Sequence, residues 1–141
     1  MYLKLNQYKV NDLVRNPEKF KGTKVKYEGR VYSYGEENDS SIKFLCTMAS
    51  TSIGEQGLVC IECPKKVLNN QNLIIHDYLK LRGEFIGEYK YRTNGNTANV
   101  VPHIFVEDLE NKGHFQKYVF KILGLAFIPF IFIVYFMYLL F

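Results

Sequence analysis

The side chains in this 141-residue chain whose spacing bears on chemistry are three cysteines, three histidines and a group of tyrosines interleaved with basic residues. Cys60-Ile-Glu-Cys63 is a C-x-x-C pair, and Cys46 falls in a stretch able to lie beside it. Thioredoxin-like chemistry needs the first thiol at a helix N-terminus, where the dipole favours the thiolate. Here Cys60 sits in an apolar stretch that reads as a strand, in which positions i and i+3 face opposite sides. A structural zinc site needs four ligands, and only His76 and His103 stand near enough to complete one. No second C-x-x-C and no histidine pair at zinc spacing accompanies them. The three thiols are therefore expected to act as small apolar residues, and their odd number suits a reducing compartment.

The sequence has no P-loop, no G-x-G-x-x-G and no G-x-S-x-G. Its carboxylates are scattered among lysines, with no pair set in apolar surroundings. A non-enzymatic protein without cofactor or metal is expected. What remains is Tyr89-Lys90-Tyr91-Arg92, together with Tyr32 and Tyr34. Tyrosine and arginine concentrate energy in protein interfaces, and aromatic rings among cations also suit single-stranded nucleic acid. Lys24, Lys26, Arg30, Lys43, Lys80 and Arg82 extend a basic surface, whereas Glu36, Glu37 and Asp39 oppose phosphates.

Alternation of apolar and polar residues supplies the frame that must position these groups. Strands are expected over Lys24–Ser33, Ser41–Met48, Gln56–Cys63, Tyr78–Ile86 and Asn99–Leu109, with Gly29 as a bulge or bend and Pro102 at an edge or bulge. Turn-rich connections separate them at Gly35–Ser40, Ala49–Glu55 and Gly87–Ala98, the last containing Asn94-Gly95. Asn11 is expected to cap a short helix over Asp12–Arg15, Pro17 to open a turn through Phe20, and Pro64 to start a helix towards Leu73. Val10, Leu13, Val14 and Phe20 would then cover one end of a barrel. The fold class expected is mostly β: a small five-stranded OB-like barrel with short helices, plus one C-terminal transmembrane helix.

Val10–Val31 (VNDLVRNPEKFKGTKVKYEGRV) resembles the opening of bacterial OB-fold domains of the anticodon-binding-like type. Tyr78–Glu88 and Val101–Glu110 resemble their fourth and fifth strands. The resemblance spans roughly residues 8–110 and implies fold more than function.

Of all the charged residues, only Lys121 lies beyond Tyr118, and Ile122 to Phe141 is free of charge. Twenty helical residues reach about 30 Å, the thickness of a bilayer's hydrocarbon core. Pro129 would kink such a helix tolerably. Lys112, Lys117 and Lys121, with His114, flank the span, so the positive-inside rule places the preceding domain in the cytoplasm. The N-terminus shows no apolar run of the signal-peptide kind. The expected organisation is an OB-like domain at 1–110, a basic linker at 111–117 and a tail anchor at 118–141. The expected role is an adaptor that meets a membrane-associated protein at the cytosolic surface of a lipid bilayer. The alternative is a membrane-tethered binder of single-stranded nucleic acid that uses the same loop.

Overall fold

A computed structural model of the chain describes residues 1–48, 57–69, 71–92, 95–113 and 117–140, with the side chains of 117–128 outside that description. Its elements run β1 (Leu3–Lys4), α1 (Gln7–Arg15), α2 (Pro17–Phe20), β2 (Lys24–Glu37), β3 (Ser41–Met48), β4 (Val59–Pro64), α3 (Lys65–Leu68), β5 (Tyr78–Arg92), β6 (Ala98–Gly113) and α4 (Lys117–Leu140). The sheet order is β1-β2-β3-β4-β6-β5, and β2 also pairs with β5. Five strands therefore close into a barrel of OB-like order, with β4 and β6 parallel and β1 added parallel to β2. Nothing among the described residues narrows it to the anticodon-binding-like type.

Alternation fills the barrel. Val25, Tyr27 and Val31 of β2, Phe44 and Cys46 of β3, and Leu79, Leu81 and Phe85 of β5 are buried, while Lys24, Lys26, Lys80 and Arg82 between them face out. The Tyr27 ring lies inside, where its hydroxyl donates to the Gly57 carbonyl at 3.1 Å. Cys46 and Cys63 belong to this core, and Cys60 belongs to a smaller cluster with Leu45 and Val101. Burial pushes the Cys60 thiol up to about 12 and the Cys63 thiol up to about 11.

Several sequence expectations are corrected here. The first helix begins five residues earlier than expected: Asn6 is its cap, accepting from the Lys9 amide at 2.9 Å, so Asn11 lies inside α1. Val10 and Leu13 are buried against the core, and Phe20 packs on it. Pro17 does open α2. The helix after β4 stops at Leu68, where Asn69 takes a left-handed conformation and ends it. Gly29 is not a bulge. It pairs in register with both Met48 and Leu79, and it is needed for space: a Cβ there would lie 2.3 Å from the Thr47 carbonyl oxygen and 2.6 Å from the Tyr27 ring. The register breaks fall later, between Val31 and Ser33 and between Tyr34 and Glu37. Pro102 sits in register with Glu88, one residue before β6 begins to pair with β4.

The largest correction concerns the connection expected at Gly87–Ala98. β5 continues through Arg92 and β6 starts at Ala98, so most of it is a hairpin arm rather than a loop. β6 likewise runs on to Gly113, taking in the start of the expected linker. The Ala49–Glu55 turn and Asn94 lie outside the described residues. So do the side chains of His114, Lys117 and Lys121 and the first half of the expected anchor. Among the described residues no helix is long and apolar enough to cross a membrane.

Two outcomes follow from this packing. Gly29→Ala should lower the urea midpoint by the equivalent of about 1–3 kcal/mol with an unchanged m-value, because neither the Thr47 backbone nor the Tyr27 ring can yield. A midpoint within error of the parent would remove the close-packing account. At pH 7.5 Ellman's reagent should find no reactive thiol in the folded chain and all three after denaturation, since Cys46, Cys60 and Cys63 are each at most 1% exposed.

Candidate functional site

The arm decides where the aromatic and basic residues go. Because 89–92 is strand, its side chains alternate: Tyr89 and Tyr91 turn to one face, and Lys90 to the other. Tyr89 stands opposite Val101 in register, and both pack with Leu45 and Cys60 on the outside of β3 and β4. On the far side, β2 and β3 rise to a turn held by Asn38, whose Oδ1 accepts from the amides of Ser40 and Ser41 at 2.9 and 2.8 Å. A groove of about 200 Å³ lies between the two hairpins. Leu45 and Cys60 lie at its base, Tyr34 and Gly35 on one wall, and Tyr89, Tyr91 and Arg92 on the other.

Lys43 also lines the groove and is its central charge. Its Nζ lies 3.9 Å from Glu36, 3.9 Å from Glu62 and 5.9 Å from the centre of the Tyr89 ring. Glu62 in turn holds His103 Nε2 at 3.0 Å, and the His103 ring meets Tyr89 edge-on with centroids 5.7 Å apart. A carboxylate only accepts, so Nε2 carries the proton. Burial lowers the His103 pKa despite Glu62, which leaves the imidazole neutral at pH 7. Burial likewise raises the Tyr89 phenol, with Cys60 and Glu36 adding to the rise. Arg92 reaches Asn96 at 3.3 Å. Lys43 thus faces Glu36 and Glu62 together, so the site is an aromatic slot of nearly balanced charge rather than a cationic one.

Of the residues singled out in the sequence, Tyr34, Tyr89, Tyr91 and Arg92 come together on this groove. Tyr34 is fixed by a hydrogen bond from its hydroxyl to the Leu73 carbonyl. Lys90 is exposed on the other face of the arm, and Tyr32 falls at the register shift of β2 between Val31 and Ser33; neither lines the groove. Leu45 and Glu62 were not foreseen as site residues, and the sequence marks Cys60 and His103 only as candidate metal ligands. The signal lay in Leu45, an apolar residue on the polar phase of β3, and in the unbroken apolar run of β4.

Of the two histidines weighed as metal ligands, His103 is held by Glu62, and His76 adopts a left-handed turn whose carbonyl accepts from Arg30 at 3.0 Å. Among the described residues no group of His, Cys, Asp and Glu is arranged to hold a metal ion.

No family model matches the chain. No curated protein matches it either. Solved structures with similar backbones include the mitochondrial single-stranded DNA binding protein Rim1 from S. cerevisiae, 12% identical, TM-score 0.46, covering 65% of this chain and 96% of that one. A small single-stranded DNA-binding protein from Streptomyces coelicolor is 10% identical, TM-score 0.47, covering 64% and 94%. The N-terminal domain of PriB from Thermoanaerobacter tencongensis is 16% identical, TM-score 0.39, covering 62% and 93%. At that level of similarity they carry no argument about what this chain binds, and its OB-like character rests on strand order.

Proposed function

We propose that this protein is a non-enzymatic, membrane-tethered binder of single-stranded nucleic acid, held in the groove between its two hairpins. The observation that carries the reading is the convergence of Tyr34, Tyr89 and Tyr91 with Lys43 and Arg92 around an opening of about 200 Å³. Unpaired bases stack on aromatic rings, and nearby cations meet their phosphates. Duplex bases, being already stacked, gain nothing from such a slot. The adaptor reading would use the same tyrosines for a protein partner, but the groove's concave shape favours a thin strand.

The tether rests on the tail. Each side chain from Phe130 to Leu140 leaves between 51% and 79% of its surface uncovered. A contiguous apolar surface of that kind marks a membrane or partner contact. The uncharged run from Ile122, preceded by Lys112, Lys117 and Lys121, favours a bilayer with the barrel on the cytosolic side.

Fluorescence anisotropy with a labelled thymidylate 15-mer tests the groove. Tyr91→Ala and Tyr89→Ala should each weaken binding by about 1–3 kcal/mol, whereas Tyr89→Phe should bind nearly as the parent does. The two cations of the groove predict a shallow salt dependence, log K falling with log salt at a slope of about −1.4. Binding unaffected by both alanine variants would sink the site, and capture of a protein with no oligonucleotide binding would restore the adaptor. For the tether, the chain should resist carbonate extraction from membranes, and its barrel should be digested by protease added to the cytosolic side; release by carbonate would reject it.

A further inference from the structure

We infer that the barrel carries a second anion site, a phosphate-binding trough centred on Lys4, Lys26 and Arg82, separate from the groove between the hairpins. A depression of about 590 Å³ opens on the outer surface of β1, β2, β5 and β6 and shares no lining residue with that groove. Lys4 of β1 is the register partner of Lys26 on β2, and Lys26 is the register partner of Arg82 on β5. Adjacent strands lie about 4.8 Å apart, so three cations stand in one row across three strands, all exposed.

Like charges directly opposite one another on a sheet oppose its formation unless something neutralises them. The carboxylates of the trough are already engaged. Asp108 holds Arg82 at 2.7 Å, Glu28 lies 3.8 Å from Lys80, and Glu110 holds Lys112 at 2.7 Å. Among the described residues no ion pair engages Lys4 or Lys26. The uncompensated charge is therefore gathered at the β1 end of a concave surface. Arg82 is also oriented in advance, because its guanidinium lies 5.4 Å from the Tyr2 ring centre and the Tyr2 hydroxyl is tied to Glu107 at 2.9 Å.

A compact, multiply charged anion answers this arrangement, since one phosphate can accept from an ammonium and a guanidinium together. Met48, half-buried at the margin, leaves apolar surface for what the phosphate is attached to. Two sources share that chemistry: a small phosphorylated molecule, and the backbone of a nucleic-acid strand that continues past the groove.

Equilibrium dialysis of the detergent-solubilised full chain against radiolabelled pyrophosphate tests the site. Saturable binding is expected. It should fall at least tenfold in Lys4→Gln/Lys26→Gln, persist in Lys26→Arg, and stay within twofold of the parent in Tyr91→Ala/Arg92→Ala. Circular dichroism checks that the variants fold. Absence of saturable binding, or equal affinity in Lys4→Gln/Lys26→Gln, overturns the inference. A thymidylate 15-mer that displaces pyrophosphate even from Tyr91→Ala/Arg92→Ala identifies the strand backbone as the source. Failure to displace it assigns the trough to a small phosphorylated ligand, and both results keep the site. Because the groove variant reports separately, failure of the groove reading leaves this outcome intact.

Discussion

Closure of the barrel depends on one strand serving two neighbours. The first half of β2 pairs with β5, and its second half pairs with β3. The two ladders overlap from Gly29 to Arg30, so both partners converge on the same short piece of backbone. A strand able to do this must coil strongly, and coiling brings its inner face close to its own neighbours. At Gly29 the approach leaves no room for a Cβ. The Tyr27 ring occupies the space thus left and ties the core to Gly57 through its hydroxyl. β1 then covers the edge of β2 that β3 does not reach, with the Leu5 amide donating to the Lys26 carbonyl at 2.9 Å.

The same coiling sets out the functional surfaces. Past Gly29, β2 leaves β5 and rises with β3, while β5 leaves β2 and rises with β6, so two hairpins flank the outer face of β3 and β4. The slot between them acquires its apolar base from Leu45 and Cys60 and its packed rings from Tyr89 and Tyr91, with Tyr34 on the facing wall. Its charges are shared out among Lys43, Glu36 and Glu62 before any ligand arrives. Discrimination there rests on the faces of rings rather than on net charge. The basic row on the first half of β2 lies on a different part of the wall, because the coil has carried that half around the barrel.

Much of this was legible in the chain. Alternation identified β2, β3 and the barrel portions of β5 and β6, because a half-buried strand writes its two faces into every second residue. The number of those runs, with a helical element between the third and fourth, pointed to a small barrel, whereas the order of the strands around it is seen only in the pairing. The arm was misread for a physical reason: Tyr89 to Arg92 and Ala98 to Val101 carry polar residues and turn formers, and their strand state is set by pairing with each other rather than by burial in the core. Reading them as a loop made Lys90 equivalent to its neighbours, which the alternation of a strand forbids. The base of the groove was written as an irregularity, Leu45 on the polar phase of β3, whose meaning depends on an arm that local pattern did not reveal. The row of Lys4, Lys26 and Arg82 needs register between strands far apart in the chain, which no local pattern encodes.

The register shift at Phe85–Gly87, with Gly87 at φ 141°, marks where the arm leaves the closed part of the barrel. Beyond it the ribbon has two strands, and it meets β4 only at His103. A two-stranded ribbon is at best marginally stable by itself. Its amides are consequently held by fewer shared contacts than those of the barrel and exchange with solvent through local opening rather than global unfolding. One wall of the groove is thus set at a lower protection level than the base it covers, so the wall carrying Tyr89 and Tyr91 can part from Leu45 and Cys60 without disturbing the closed ladder beneath.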